Sequence, residues 1–125
     1  MNRSLVRFPI PIDPVSMETV ALADRRRFLP EKMQKIPVFE SPRLFFDQYC
    51  LLPGQFQKVH AHAGEDKIYV VLEGTAVFDI GGERKALGAG HAVIARAGVP
   101  HGVRNESDAP VTLLVTMAPR PDRPG

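Results

Sequence analysis

Four histidines carry the first chemical signal in this chain: His60, His62, His91 and His101. His60 and His62 form an H-x-H pair. On a strand, residues i and i+2 point to one face with Cα atoms about 6–7 Å apart. That spacing suits two cis imidazole ligands on one ion, and it equally suits a strand with two polar residues facing water. Imidazole ligands fit iron, nickel, copper, zinc and, less strongly, manganese. His91 follows Gly90 at a turn, where an exposed polar residue is ordinary, and it reads as structural. The single cysteine, Cys50, excludes an intrachain disulfide framework and a multi-cysteine zinc site. Between Tyr49 and Leu51 it reads as a small buried apolar group. The Arg25-Arg26-Arg27 run reads as a solvated helix end, where cations suit the dipole.

The elements that must position these side chains are short and β-rich. Leu44–Leu52 ends at Pro53-Gly54, and Gln55–His62 follows. Lys67–Glu73 is rich in β-branched and aromatic residues and stops at Gly74. Thr75–Ile80, Gly81-Gly82 and Glu83–Ala86 read as a hairpin on a two-residue glycine turn. His91–Ala95, His101–Glu106 and Val111–Met117 complete the series. Turns at regular short intervals without intervening helices predict an antiparallel sandwich or barrel. Apolar residues on both faces of Lys67–Glu73 and Val111–Met117 call for a cover, supplied by the N-terminal segment or a second subunit.

Residues 1–43 differ. Pro9, Pro11 and Pro14 make Phe8–Pro14 extended or turn-like. A helix is predicted from a Ser16 cap through Met17, Val20 and Ala21 to about Leu29, stopped by Pro30. The expected division is 1–43 as an N-terminal arm with a short helix, 44–118 as the barrel, and 119–125 as a mobile tail. A chain of 125 residues and 13.8 kDa is one domain's worth of length. At 44% hydrophobic residues it can bury a core. The sequence pI is about 8.9, yet the basic excess lies in the flanks, while 44–118 carries more acid than base. That argues against a nucleic-acid partner. No apolar run approaches the roughly 18 residues a membrane helix needs, and the start lacks a secretory core. The expectation is a soluble, cytoplasmic protein with no membrane partner.

Residues 54–74, GQFQKVHAHAGEDKIYVVLEG, resemble the first motif of the cupin superfamily. That motif runs from a Gly through H-x-H and a Glu to a second Gly. Gly54, His60, His62 and Gly74 match it. Residues 90–105, GHAVIARAGVPHGVRN, resemble the second motif through Gly90, Gly98, His101 and Asn105, with Arg96 where Pro is usual. The resemblance covers about residues 44–117. It implies an all-β fold, the double-stranded β-helix or jelly-roll barrel, here with an N-terminal extension. It also implies a divalent transition metal (Fe, Mn, Ni, Zn or Cu) held by His60, His62 and His101, with Asn105 tying down the following turn.

The departure from that pattern is Lys67, which stands where the family usually has Glu. A protonated lysine repels a cation at contact range. Three readings stand open. Three histidines hold the ion alone; Asp66 or Glu65 swings in as a carboxylate ligand; or the site holds no metal and Lys67 with the histidines binds an anion. Strand alternation places Lys67 inward with Tyr69 and Val71, making Lys67 and Tyr69 the catalytic candidates. Gln48, Gln55 and Gln57 are further cavity-wall candidates. Two functions follow: a metal-dependent dioxygenase or isomerase acting on a small anionic or enolisable substrate, or a non-catalytic small-molecule binding or sensor module. A homodimer is expected in either case.

Overall fold

Every second residue of Asp66–Glu73 points inward: Lys67, Tyr69 and Val71 are buried, while Ile68 between them is 40% exposed. The same alternation, repeated strand by strand, closes two antiparallel sheets around one core. The computed structural model describes residues 16–121. Its strands are β1 (Gln34–Glu40), β2 (Phe45–Leu51), β3 (Phe56–His60), β4 (Asp66–Glu73), β5 (Thr75–Ile80), β6 (Glu83–Gly88), β7 (Ala92–Ala95), β8 (His101–Arg104) and β9 (Val111–Ala118). One sheet has the order β1-β2-β9-β4-β7 and the other β3-β8-β5-β6. Tyr49, Tyr69, Phe78, Val103, Leu113 and Val115 lie between them.

The predicted hairpin is present. Gly81 and Gly82 take φ of 59° and 88°, the left-handed pair that a two-residue turn between twisted strands requires. Gly74 also has positive φ, and a Cβ there would meet the Pro110 carbonyl oxygen at 2.6 Å. Asn105 is bonded on both sides of its turn. Its Nδ2 donates to the carbonyls of Leu51 and Ala109, and its Oδ1 accepts from the Ser107 N–H.

Two expectations change. Gln34–Glu40 is not part of a separate arm; it is a strand of the five-stranded sheet, paired with β2. Pro37 obscured it, because proline lacks a ladder donor. β1 is an edge strand, and the Pro37 carbonyl faces outward to Arg25 Nη1, so the missing N–H also falls on the unpaired side. The helix over 16–29 is instead one 3₁₀ turn, Leu22–Arg25, with extended backbone on either side. Side chains of β2 and of the turn after it take two carbonyls of this segment, that of Leu22 being one a helix would have used. Gln48 Nε2 donates to Leu22 O and Gln55 Nε2 to Leu29 O. A short helix has a costly nucleus, and these bonds favour the extended strap. Residues 1–15 and 122–125 lie outside the described residues, and with them the Phe8–Pro14 segment and the end of the tail. The described start of the tail is anchored: Arg120 donates to Ser41 O, pairs with Glu40 and covers the Phe45 ring.

Candidate metal centre

His60 ends β3 and His101 begins β8, and the two are direct partners across the ladder. Just before them β3 carries an extra residue, since the register shifts between Gln57 and His60. Such a bulge turns a strand and re-aims its side chains. Gly102 makes room for it: a Cβ there would lie 2.9 Å from both Gln57 O and Val59 N. Gly102→Ala should therefore push β3 off β8, costing about 1–3 kcal/mol. It should also misplace His60, which thermal unfolding and metal titration of the same variant would register together. A variant as stable as wild type would remove this role.

His62 lies two residues past the end of β3 and is held by its backbone, whose carbonyl accepts from the Gly98 N–H at 2.8 Å. The three rings converge, with centroids 4.5 Å (His60 and His101), 4.8 Å (His60 and His62) and 5.6 Å (His62 and His101) apart. One ligand nitrogen from each lies within 4.8 Å of the others. His60 Nδ1 is 2.9 Å from Lys58 O and His101 Nδ1 is 3.0 Å from Val99 O. A carbonyl can only accept, so each Nδ1 carries the proton and each Nε2 keeps its lone pair. His101 Nε2 is buried with no hydrogen-bond partner. Burial, above all, lowers the His101 pKa to about 4, helped by the Lys67 charge and opposed by the Val99 carbonyl. Burial likewise lowers that of His60. Neutral imidazoles with an orphaned, converging lone pair fit a divalent transition metal.

The two carboxylates differ in their place relative to this cluster. Asp66 Oδ1 accepts from the Ala97 N–H at 2.8 Å, which holds it at the β7 end of the sheet. Glu65 Oε1 lies 3.7 Å from His62 Nδ1 and steadies that ring. Among the described residues the ligand cluster is His60, His62 and His101 alone.

Lys67 is inward, as strand alternation requires, and 1% exposed. Its Nζ donates to Gln57 Oε1 at 3.2 Å and lies 5.3 Å and 5.1 Å from the ring centres of Tyr49 and Tyr69. Burial lowers its pKa to about 7, with the nearby Lys35 charge adding and Asp47 opposing. Tyr69 is not on the cavity wall. It sits behind the site, against Tyr49, Phe78 and His101, with its hydroxyl buried and burial raising its pKa.

The cavity beside the histidines has a volume of about 490 Å³. Phe45, Tyr49, Val115, Met117 and Pro121 make its apolar wall; Lys35, Asp47, Gln57, Lys58 and Lys67 make its polar one. Of the three glutamines only Gln57 belongs here. Gln48 faces the outer side of β2, where it accepts from Arg26 Nε and grips the strap. Gln55 closes the turn after β2 and holds Leu29. Sequence reasoning missed Lys35, Asp47 and Lys58. The signal for Asp47 was present, because Phe45, Asp47 and Tyr49 share one parity. Lys35 was hidden with the unread strand β1. His91 is exposed at its turn, with Nδ1 at the Gly88 carbonyl, and Cys50 is a buried thiol whose pKa burial raises.

Two antiparallel sheets closed around one core, with a histidine trio beside a cavity, define a class of small β-barrel proteins. Residues 48–117 match the Cupin domain family, and the chain belongs to it. It is similar to the crystal structure of TT1209 from Thermus thermophilus, with 56% identity and a TM-score of 0.82, covering 84% of this chain and all of that one. It also resembles a predicted oxalate decarboxylase from Thermotoga maritima, at 22% identity and TM-score 0.67, over 70% of this chain and 81% of that one. That likeness concerns the fold. Among curated proteins, the tetracenomycin polyketide synthase protein TcmJ of Streptomyces glaucescens is 28% identical over 80 residues. Those residues make up 64% of this chain and 54% of TcmJ, so the chain spans about half the length of that relative.

Proposed function

We propose that this cupin binds one divalent transition metal through His60, His62 and His101 and is an enzyme of the dioxygenase or isomerase kind. Its substrate is a small anionic or enolisable molecule. The observation that carries the reading is the convergence of three imidazoles on a point where the buried His101 Nε2 has no partner. When bound, such an ion supplies a Lewis acid for a carbonyl or phenolic oxygen and, in the case of iron, redox chemistry with dioxygen. The protein's own groups orient the substrate. Lys35, Lys58 and protonated Lys67 attract an anionic group, Asp47 limits the positive excess, and Phe45, Tyr49, Val115 and Met117 exclude water from its apolar part. The test is elemental analysis of tag-free protein followed by a screen of small carboxylates, diketones and phenols. Dioxygen uptake and exchange of substrate protons with deuterated solvent are the readouts. About one equivalent of metal with turnover supports the reading. Protein that stays metal-free after incubation with iron, nickel, copper, zinc and manganese would sink it.

A second reading, a non-catalytic small-molecule binding module, is favoured by Lys67 in the position where the family motif carries a carboxylate. Metal or ligand binding without turnover of any class of substrate would establish it. Among the described residues no helix is long and apolar enough to cross a membrane.

The protein is also expected to be a homodimer. The strap covers Gln48 and Cys50 on the outer face of the five-stranded sheet, but Phe39 and Ile68 remain 37% and 40% exposed. The ladders align them in one row with Phe46, Thr116 and Ile94. A row of this kind, apolar but for Thr116, suits a docking face. Light scattering should give twice 13.8 kDa, and Ile68→Glu should return the monomer mass. A wild-type mass of one chain at micromolar concentration would remove the dimer.

A further inference from the structure

Lys67 is built more deeply into the barrel than an anion anchor needs to be. It rises from β4 into the base of the cavity, its ammonium lies against the faces of Tyr49 and Tyr69, and its hydrogen bond goes to the neutral amide of Gln57. The ring faces and the Asp47 charge favour the cation, but near-complete burial and the Lys35 charge work against it and outweigh them. Desolvation in an apolar pocket beside further cations is the arrangement that turns a lysine into a nucleophile. Lys35 and Lys58 line the same cavity, and Tyr49, Val115 and Met117 supply an apolar stretch of wall.

We propose that Lys67 is a nucleophilic amine that captures small oxo acids as an imine inside the barrel. The inference goes beyond the metal reading and needs no ion. The Nζ lone pair attacks the carbonyl carbon and the C=O π pair moves to oxygen. Nζ gives up two protons in all, and they leave with that oxygen as water. Amine and oxo acid thus become imine and water, without any oxidant or reductant. The carboxylate of the acid is met by the Lys35 and Lys58 ammoniums, and its carbon chain by the apolar wall. A cavity of about 490 Å³ accepts such a molecule with room to spare. The lowered pKa of Lys67, about 7, leaves a large part of it unprotonated at neutral pH, unlike an exposed lysine.

The test is reductive trapping. Wild-type protein, one sample treated with chelator and one supplied with metal, is incubated with pyruvate and cyanoborohydride. Intact mass and peptide mapping then locate the secondary amine, and metal content is measured on the same samples. The expected result is one adduct per chain at Lys67, formed at least about ten-fold faster than at Lys32, Lys35, Lys58 or Lys85, in both samples. Lys67→Arg should abolish it. Acetone, which has no carboxylate, should label Lys67 more slowly than pyruvate. Label on the exposed lysines with Lys67 unmodified overturns the proposal, and equal rates for acetone and pyruvate overturn the choice of oxo acids. Because trapping is read without metal, a failed metal reading leaves its own mark in the metal analysis and does not imitate either result.

Discussion

Alanine at His60, His62 and His101 together should leave a folded protein that retains no divalent metal, while His101→Ala alone should weaken binding by more than about 100-fold. Loss of an outer hydrogen-bond partner costs a metal site about 10–100-fold, and a lost ligand costs more. The wild-type site is prepared before the ion arrives. Carbonyls of Lys58 and Val99 hold two of the rings in the ligand tautomer, and Gly98 holds the His62 backbone. His101 Nε2 is already desolvated and unpartnered. Removing that buried acceptor relieves a polar group that costs about 1–3 kcal/mol when unpaired. Metal-free triple variant should therefore be no less resistant to heat than metal-free wild type. Only wild type should gain further resistance on adding metal, because an ion that binds the folded state alone stabilises it. Calorimetry with and without metal separates these effects. A triple variant that still carries one equivalent would place the ion elsewhere.

Lys67→Glu should tighten metal binding and weaken the binding of anions. A carboxylate replaces an ammonium next to the three imidazoles, adding a ligand and removing a repulsion. Anions lose a cation and an open coordination position at once. Lys67→Met should keep the metal and lose the anion effect alone. Chelator competition and titration with a small carboxylate, read on both variants, check the pair. Unchanged metal affinity in Lys67→Glu would defeat the view that Lys67 fills the fourth ligand's place.

The same side chain sets a pH dependence. The folded pKa of Lys67 is about 7 against an ordinary 10.5. Between those values the unfolded chain holds a proton that the folded one has released. Stability from this group therefore rises with pH across that window, and its penalty is fully present below pH 7. The difference is on the order of 5 kcal/mol at most. Lys67→Met should be the more stable protein at pH 6.5, and its advantage should shrink by pH 9.5 in denaturant unfolding. An advantage that does not change with pH would mean that packing, not charge, explains it.

What could be read from the sequence was what short-range geometry determines. An H-x-H pair aims two rings one way because strand side chains alternate, and the Gly81-Gly82 turn could be placed because only glycine tolerates both left-handed positions at little cost. The H-x-H pair and eight of the nine described strands rest on such local rules, whereas His101 joined the pair only through the resemblance to the second cupin motif. Asp47 and Gln48 show where these rules end. Both are polar neighbours on one strand, and a shift of one residue exchanges the face each occupies. Only the pairing of β2 with β1 and β9 puts Asp47 in the cavity and Gln48 under the strap. Strand β1 carries a proline that local rules exclude, and only its edge position makes that proline harmless. Residues 16–29 have a helical pattern, yet Gln48, 26 residues further along, takes the Leu22 carbonyl a helix would use, and Gln55, also 26 residues on, holds that of Leu29. Gly102 is an ordinary glycine in sequence until the β3 bulge packs within 2.9 Å of where its Cβ would be. In each case the deciding contact is with a residue far along the chain, and its energy exists only once the two sheets have closed.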